Sequence, residues 1–242
     1  MKIKILLLSA LVFASAALTF AQSVVITSKK ITYTRPKPEM DFKKNFTVKY
    51  PKVKSANALL SKKIETAISY EKNFEFNLKE ELGEMQWLEE ADYTVDYNKK
   101  GVLSIELFVT GSGAYPSSST KNVVVNLKTG NQVRPADVFT NLNALIAKIR
   151  TMQKAEIKEA IKIIKEDADY KDEDTDELFR NKDFKIADFE GFSLDDKGVA
   201  FRYNYAFRHA IQALQPDGTY FFSWAQLKPF IKPAGLLGRF IR

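Results

Sequence analysis

The residue types that most often break bonds are sparse in this chain. Its 242 residues include one histidine, His209, and no cysteine. A serine or cysteine nucleophile needs a nearby base, usually histidine, and a catalytic zinc ion needs several histidine or cysteine ligands. Ser112 lies between two glycines, but the Gly-x-Ser-x-Gly pattern of a nucleophile elbow is absent. The sequence therefore argues against both kinds of site, and we predict no bound metal and no cofactor.

Carboxylates are the remaining catalytic option. Glycoside hydrolases use two Asp or Glu side chains roughly 5–10 Å apart, a separation that sequence spacing does not measure. Asp172, Asp174 and Asp176 alternate as in the first half of an EF-hand loop. The glycine and the final glutamate of such a loop are replaced by Glu177 and Asp183, so we interpret this stretch as a solvated acidic linker. A carboxylate-dependent hydrolase or deacetylase acting on cell-wall polymer remains an alternative function.

Aromatic residues offer a binding surface, and they are concentrated in the last third of the chain. Exposed aromatic rings stack against ligands, whereas aromatics at strand spacing more often pack in a core. The lone histidine adds a pH-sensitive group. On these grounds we select four candidate ligand-binding residues, Tyr203, Tyr205, His209 and Trp224, and we add Tyr115 as a fifth candidate.

The first residues have the form of a secretory signal. Lys2 and Lys4 precede an apolar run over residues 5–20, and small residues stand at the two positions that signal peptidase reads before Gln22. The run is shorter than the roughly 20 residues of a membrane-spanning helix. We therefore predict cleavage after Ala21 and a soluble periplasmic or extracellular protein without stable membrane insertion.

Charge and composition narrow the class of partner. The formal charge is +7, of which Lys2 and Lys4 contribute two, so that the mature chain carries +5. Export argues against nucleic acid, and the positive charge leaves anionic cell-wall polymer, lipid headgroups or an acidic protein as partners. A hydrophobic fraction of 45% is enough to bury a core without disulfides.

Periodicity predicts an α+β fold with a mainly antiparallel sheet built from hairpins and two long amphipathic helices packed on it. Pro51 is expected to end the second strand, and Ser55 to cap a helix that continues to near Gly83. Asn141 is expected to cap the longer helix. The predicted strands cover residues 23–35, 46–50, 93–97, 102–110, 123–127, 192–194, 199–205 and 220–224.

Several short motifs occur in an order that resembles one known family. They are FTVKYP (46–51), GAYP (113–116), NLKTG (126–130), PADVF (135–139), FRYNY (201–205), PDG (216–218) and WAQL (224–227). Together they resemble the PdaC/RsiV-type extracytoplasmic domain family, paired domains of unknown function shared by PdaC-like deacetylases and RsiV-type anti-sigma factors. The family often has histidine where this chain has Tyr115.

The resemblance implies an envelope binding or sensing module, because deacetylase chemistry in such proteins belongs to a separate domain. After the predicted signal peptide at 1–21, it also implies an N-terminal PdaC-like subdomain at 22–115 and a C-terminal RsiV-like subdomain at 116–242. The predicted function is thus an exported, non-enzymatic binding or sensor-like module for a cell-wall glycan or a protein partner.

Overall fold

The computed structural model describes residues 23–55, 57–74, 76–189 and 191–242. The predicted signal peptide and its cleavage site after Ala21 lie outside the described residues. The strands are β1 (Val25–Thr34), β2 (Asn45–Lys54), β3 (Leu88–Lys99), β4 (Val102–Ser112), β5 (Pro116–Asn126), β6 (Asn131–Gln132), β7 (Phe192–Leu194), β8 (Gly198–Arg202) and β9 (Thr219–Ser223). The α-helices are α1 (Ala58–Ala67), α2 (Tyr70–Asn73), α3 (Leu78–Leu82), α4 (Pro135–Val138), α5 (Leu142–Glu166), α6 (Thr175–Leu178) and α7 (Trp224–Leu227).

The strands form two sheets, which confirms the predicted α+β class. A six-stranded sheet has the order β1-β2-β3-β4-β5-β6, and a three-stranded sheet has the order β7-β8-β9. Neighbouring strands are antiparallel except β2 and β3, which pair in parallel at Thr47 and Val48. The parallel pair is possible because α1, α2 and α3 lie between these two strands in the chain.

The large sheet has a hydrophobic core on each face. Side chains alternate between faces along a strand, and β4 is buried at four consecutive positions, residues 102–105. Leu103 and Ile105 pack on one face with Ile64 of α1. Val102 of β4 and Val124 of β5 pack on the other face, against the small sheet and α5. The β4–β5 hairpin therefore contributes to both cores.

The helix expected from Ser55 to Gly83 is instead divided into α1, α2 and α3. Its first cap is Asn57, whose side chain accepts hydrogen bonds from the backbone of residues 59 and 60. Ser69 and Asn77 each cap a new helix inside the periodic segment. The longer helix, α5, has 25 residues and the predicted cap, Asn141. Within the described part of the chain, no helix combines the length and apolar character required to cross a bilayer.

Strand β2 continues through Pro51, where the sequence pattern predicted its end. The backbone N–H of Arg35 donates to the oxygen of Lys44, so these two residues form a hydrogen-bonded pair at the end of the β1–β2 ladder. Such pairs alternate along an antiparallel ladder, so the pair Ser28↔Pro51 is non-hydrogen-bonded. Since β2 meets β3 only at residues 47 and 48, the missing N–H of Pro51 removes no ladder bond.

Strand β5 is longer than predicted and begins directly after Tyr115. Its residues pair with β4 from Ser112↔Pro116 to Val102↔Asn126. The glycine- and serine-rich residues 111–119, which lie between the predicted strands 102–110 and 123–127, thus form the end of a tight hairpin in the large sheet. The predicted subdomain boundary at Tyr115 falls in the turn of this hairpin.

A buried arginine holds together the end of β1 and the start of β3. The side chain of Arg35 is 0% exposed and donates to the backbone oxygens of Glu81, Lys43 and Leu88 at 2.7, 2.6 and 2.8 Å. It also pairs with the Glu81 carboxylate at 3.2 Å, and its guanidinium carbon lies 4.5 Å from the centroid of the Phe46 ring. The same Glu81 oxygen accepts from the Leu88 N–H. Both charges are therefore compensated within the fold.

Candidate functional site

A polar cleft of about 630 Å³ lies between β5 and the C-terminal part of the chain. Its volume falls in the range of small-ligand sites. Strand β5 supplies one side, residues 118–122, and loops around the small sheet supply the other. The side chains and backbone segments that line it are Ser118, Ser119, Thr120, Lys121, Asn122, Ala187, Asp188, Gly191, Arg202, Tyr203, Asn204, Gln212, Gln215 and Asp217.

The floor of the cleft is formed by alternate side chains of β5, which lie on one face of the strand. Val124 belongs to the core beside the small sheet, and side chains two residues apart share a face. Asn122, Thr120 and Ser118 continue that face beyond the end of the core. Because these side chains are small and polar, they leave the space beside the sheet unfilled.

The opposite wall is attached to α5 through one carboxylate. Glu156 accepts hydrogen bonds from the hydroxyls of Tyr205 and Tyr220 at 2.8 and 2.7 Å, and from the N–H of Gly218 at 2.8 Å. Gly218 has φ +67°, and a Cβ there would lie 2.1 Å from the oxygen of Tyr203. Glycine is therefore required at this turn, and both ends of the segment 205–218 are fixed to the helix.

Two of the predicted ligand-binding residues contact each other where β5 begins. The rings of Tyr115 and His209 stack with centroids 4.6 Å apart and an interplanar angle of 25°. Tyr115 is 64% exposed and lies in the β4–β5 turn, while His209 begins the 3-10 helix His209–Leu214. Since Gln212 of the same 3-10 helix lines the cleft, the stacked pair joins the two sides of the cleft near the start of β5.

The other three predicted residues occupy different places. Tyr203 lines the cleft. Tyr205 is fully buried with its hydroxyl bound by Glu156, so its assignment as a ligand contact is corrected to a core position. The reason is that burial still alternates beyond the end of β8 at Arg202, so that Tyr205 lies on the inward side with Phe201. Trp224 stacks on Phe240 at 4.3 Å and is outside the cleft lining.

Sequence reasoning missed the polar side chains that form most of the cleft. The available signal was the run of hydroxyl residues at 117–120, which stands in a strand although its composition resembles a loop. Arg202 and Gln212 carried no signal, because nothing in their local pattern indicates that they face β5. What the cleft offers chemically is a set of hydroxyl, amide and charged groups that suit a polar ligand.

Acidic residues occur in the cleft, but no metal-binding cluster is formed by the described residues. Asp188 and Asp217 are the carboxylates in the lining. In the part of the chain that the structure describes, no three His, Cys, Asp or Glu side chains are grouped so as to hold a metal ion. Within the acidic stretch, Asp174 caps α6 by accepting from the N–H of Glu177 at 3.0 Å.

Arg202 in the cleft lining contacts an acidic side chain of the large sheet. Arg202 pairs with Glu106 of β4 at 2.7 Å, and the Ser104 hydroxyl donates to Asp96 at 3.4 Å. Desolvation, followed by the nearby Glu106 carboxylate, raises the pKa of Asp96 to about 6, although Ser104 and Arg202 act in the opposite direction. The ionised form of Asp96 is thus disfavoured in the folded protein.

We expect Asp96→Asn to stabilise the protein at neutral pH but not in acid. The pKa of Asp96 in the folded protein is higher than its ordinary value of 3.8. The contribution of Asp96 to the free energy of unfolding is therefore fully present below pH 4 and is lost as the pH rises through 6. The variant avoids that loss, so its advantage develops between pH 4 and pH 6 and stays near 1 kcal/mol or less because the site is partly solvated. Urea unfolding at pH 4 and pH 8 measures it. A difference of equal size at both pH values would contradict this explanation.

Comparison with known proteins identifies the fold. No family profile matches the chain, and no curated protein matches it either. A member of the DUF3298 family from Bacteroides fragilis superimposes with a TM-score of 0.58 at 15% identity, over 91% of this chain and 98% of that one. A DUF3298 family protein from Pseudomonas aeruginosa superimposes with a TM-score of 0.55 at 13% identity, over 88% of this chain and 96% of that one. The fold is therefore shared over most of the chain.

Proposed function

We propose that this chain is an exported binding module of the cell envelope and that the cleft along β5 holds its ligand. The observation that carries the proposal is the 630 Å³ polar cleft, in which the small side chains of β5 face a wall fixed by Glu156. A fixed wall favours binding, because little conformational freedom is lost when a ligand enters. The ligand is a component of the envelope, either cell-wall glycan or protein.

The fold likeness supports the family resemblance. Both structural neighbours are DUF3298 proteins, and domains of the PdaC and RsiV type carry DUF3298. That resemblance implies a binding or sensing role, with any deacetylase chemistry in a separate domain. Export is supported by the signal pattern of residues 1–21, which the family resemblance matches.

A carboxylate-dependent hydrolase or deacetylase is the second candidate, and one observation favours it. Asp188 and Asp217 both line the cleft, where a pair of acids would be needed. The position of His209 does not help this candidate, because its ring is stacked on Tyr115. Incubation with purified peptidoglycan, followed by assays for released acetate and reducing ends, separates the two functions.

The binding role predicts that filling the cleft abolishes retention by envelope material. The full chain is expressed with its signal, and the exported protein is expected to begin at Gln22 on N-terminal sequencing. Ser118→Trp places a large side chain on the cleft floor, and tryptophan is well tolerated on a strand. We expect about a tenfold or greater loss of binding to isolated sacculi or solubilised envelope protein, as expected for a loss of about 1.4 kcal/mol or more.

Thr27→Trp is the matched control, since Thr27 is an exposed strand residue in β1, outside the cleft lining. It should bind as the wild type does. Equal retention of wild type and Ser118→Trp, no retention of either, or recovery of an unprocessed cytosolic chain would reject the proposal.

A further inference from the structure

We infer that the cleft takes an extended peptide, which adds to the large sheet as a strand beside β5. The inference rests on the proposed binding function and names the chemical class of the ligand. Four features of the described residues lead to it: an unpaired strand edge, the direction of its backbone groups, the walls around it, and the pockets on its two faces.

In the described part of the chain, no strand pairs with the edge of β5 opposite β4 over residues 116–120. On one side β5 pairs with β4 over all its residues. On the other side it pairs with β6 only at Val125↔Gln132 and Asn126↔Asn131. Among the described residues, none forms a strand beside residues 116–120 on that side. Exposed edges of this kind bind other strands, and proteins normally block them.

The backbone groups of this edge point into the cleft. Val133 donates its N–H to the oxygen of Val124 at 2.8 Å, so Val124 directs its backbone groups away from β4. Residues two apart in a strand direct these groups to the same side. Thr120 and Ser118 thus present their N–H and C=O groups outward, and within residues 23–55, 57–74, 76–189 and 191–242 no backbone or side-chain group bonds to them there.

The two ends of this edge are closed by other parts of the chain. A Cβ on Gly191 would lie 2.7 Å from the oxygen of Asn122, so the backbone of Gly191 already packs against β5 at that position. At the other end, the stacked Tyr115 and His209 rings join the hairpin turn to the 3-10 helix. The open window from Ser117 to Thr120 spans about 13 Å at the usual rise per residue.

The walls of the cleft favour a single strand over a second sheet. Asp188, Asn204 and Gln215 line the same cleft as β5, so the edge is recessed between the sheet and the wall. A strand placed at the usual spacing of about 4.8 Å enters this space. Pairing of two β5 edges from two molecules would bring a second wall and a second sheet into it. An extended segment of another protein is therefore the better occupant.

The two faces of β5 at this edge differ in polarity, which predicts the pattern of the peptide. The polar cleft lies on the face of Thr120. On the face of Ser119 lies an apolar pocket of about 280 Å³, whose walls include Phe74, Phe76 and Trp87. Side chains of an added strand alternate between these faces. The ligand is thus expected to have polar residues alternating with at least one large apolar residue, a requirement that a glycan chain cannot meet.

Selection from a displayed library of random dodecapeptides tests the inference, with Thr120→Pro and Thr120→Ala as the matched pair. Proline removes the outward N–H of Thr120 and leaves the β4–β5 ladder intact, because this residue makes no bond toward β4. Alanine removes only the hydroxyl. Selected peptides should bind Thr120→Ala within about threefold of the wild type and Thr120→Pro about tenfold or more weakly, the factor that one lost backbone hydrogen bond accounts for.

Amide hydrogen exchange by NMR gives an independent readout. A bound peptide should slow exchange of the Ser118 and Thr120 amide protons, while thermal melting of both variants in the absence of peptide verifies that they fold. Unchanged exchange at these amides, or peptides that bind Thr120→Pro as well as the wild type, would overturn the inference.

Two further outcomes would also overturn it and identify the occupant. If purified glycan strands free of stem peptide bind in a manner abolished by Ser118→Trp, and no peptide is selected, the binding function stands with a glycan ligand. A dimer in analytical ultracentrifugation that Thr120→Pro abolishes would assign the edge to a second copy of the chain. Failure of both peptides and glycans to bind would reject the proposed function itself.

Discussion

Replacing Arg35 with methionine is expected to lower the free energy of unfolding by about 3–5 kcal/mol, the usual effect of removing one partner from a buried ion pair. The variant leaves the Glu81 carboxylate with little exposure and without its cation. It also removes the donors for the carbonyl oxygens of Lys43 and Leu88. Methionine fills part of the volume, so the loss reflects the unpaired polar groups more than a cavity. Urea unfolding followed by circular dichroism measures the change.

Arg134→Met is the matched control. Arg134 pairs with Asp137 at 3.4 Å, but its side chain is 81% exposed, and exposed pairs contribute about 0–1 kcal/mol. The double variant Arg35→Met/Glu81→Leu should recover part of the stability, because it removes both buried charges together. Comparable losses in Arg35→Met and Arg134→Met would show that the buried pair has no special role.

Replacing Glu156 with alanine is expected to cost about 3 kcal/mol and to weaken ligand binding as well. After the change, Tyr205 and Tyr220 can still bond to each other at 2.9 Å, but one buried hydroxyl proton and the Gly218 N–H lose their acceptor. Each unsatisfied buried donor costs about 1–3 kcal/mol. Burial raises the pKa of both tyrosines, so they remain protonated donors across the usable pH range.

The binding effect is expected because Glu156 fixes both ends of the cleft wall. Glu156→Gln retains an acceptor oxygen and should show a smaller loss in both measurements. Lys158→Ala, an exposed substitution on the same helix, should leave stability and binding unchanged. Binding in the Glu156→Ala variant that equals the wild type, at a temperature where the variant is folded, would show that the wall does not depend on this carboxylate.

Local pattern predicted most of the elements, because it depends on neighbours in the sequence. The alternation around Tyr97 and Ile105 predicted the β3–β4 hairpin, and Asn141 predicted the start of α5. The division of the first helix was missed because apolar periodicity continues through Ser69, whose side chain caps a new helix. A helix cap depends on a single side-chain hydrogen bond, which the spacing of apolar residues does not reveal.

The cleft could not be predicted in the same way, because its two sides come from distant parts of the chain. Tyr115 and His209 were both selected from the sequence, but their stacking across 94 positions was not foreseeable from either residue. Thr120 was not selected, since a hydroxyl residue in a strand acquires significance only when its neighbour on one side is missing. The buried pair of Arg35 and Glu81 was not predicted either, because its effect on stability depends on burial, which the local sequence does not show.

The sharing of β4 and β5 between two cores has a consequence for how the protein folds. Each core buries apolar side chains from the same hairpin, so neither can be completed while the other is dismantled. We therefore expect the polypeptide to unfold as a single cooperative unit, although its sequence motifs predict two consecutive subdomains. Separating the chain at the β4–β5 turn would take Val123, Val125 and Leu127 out of one interior and Tyr97 and Val102 out of the other.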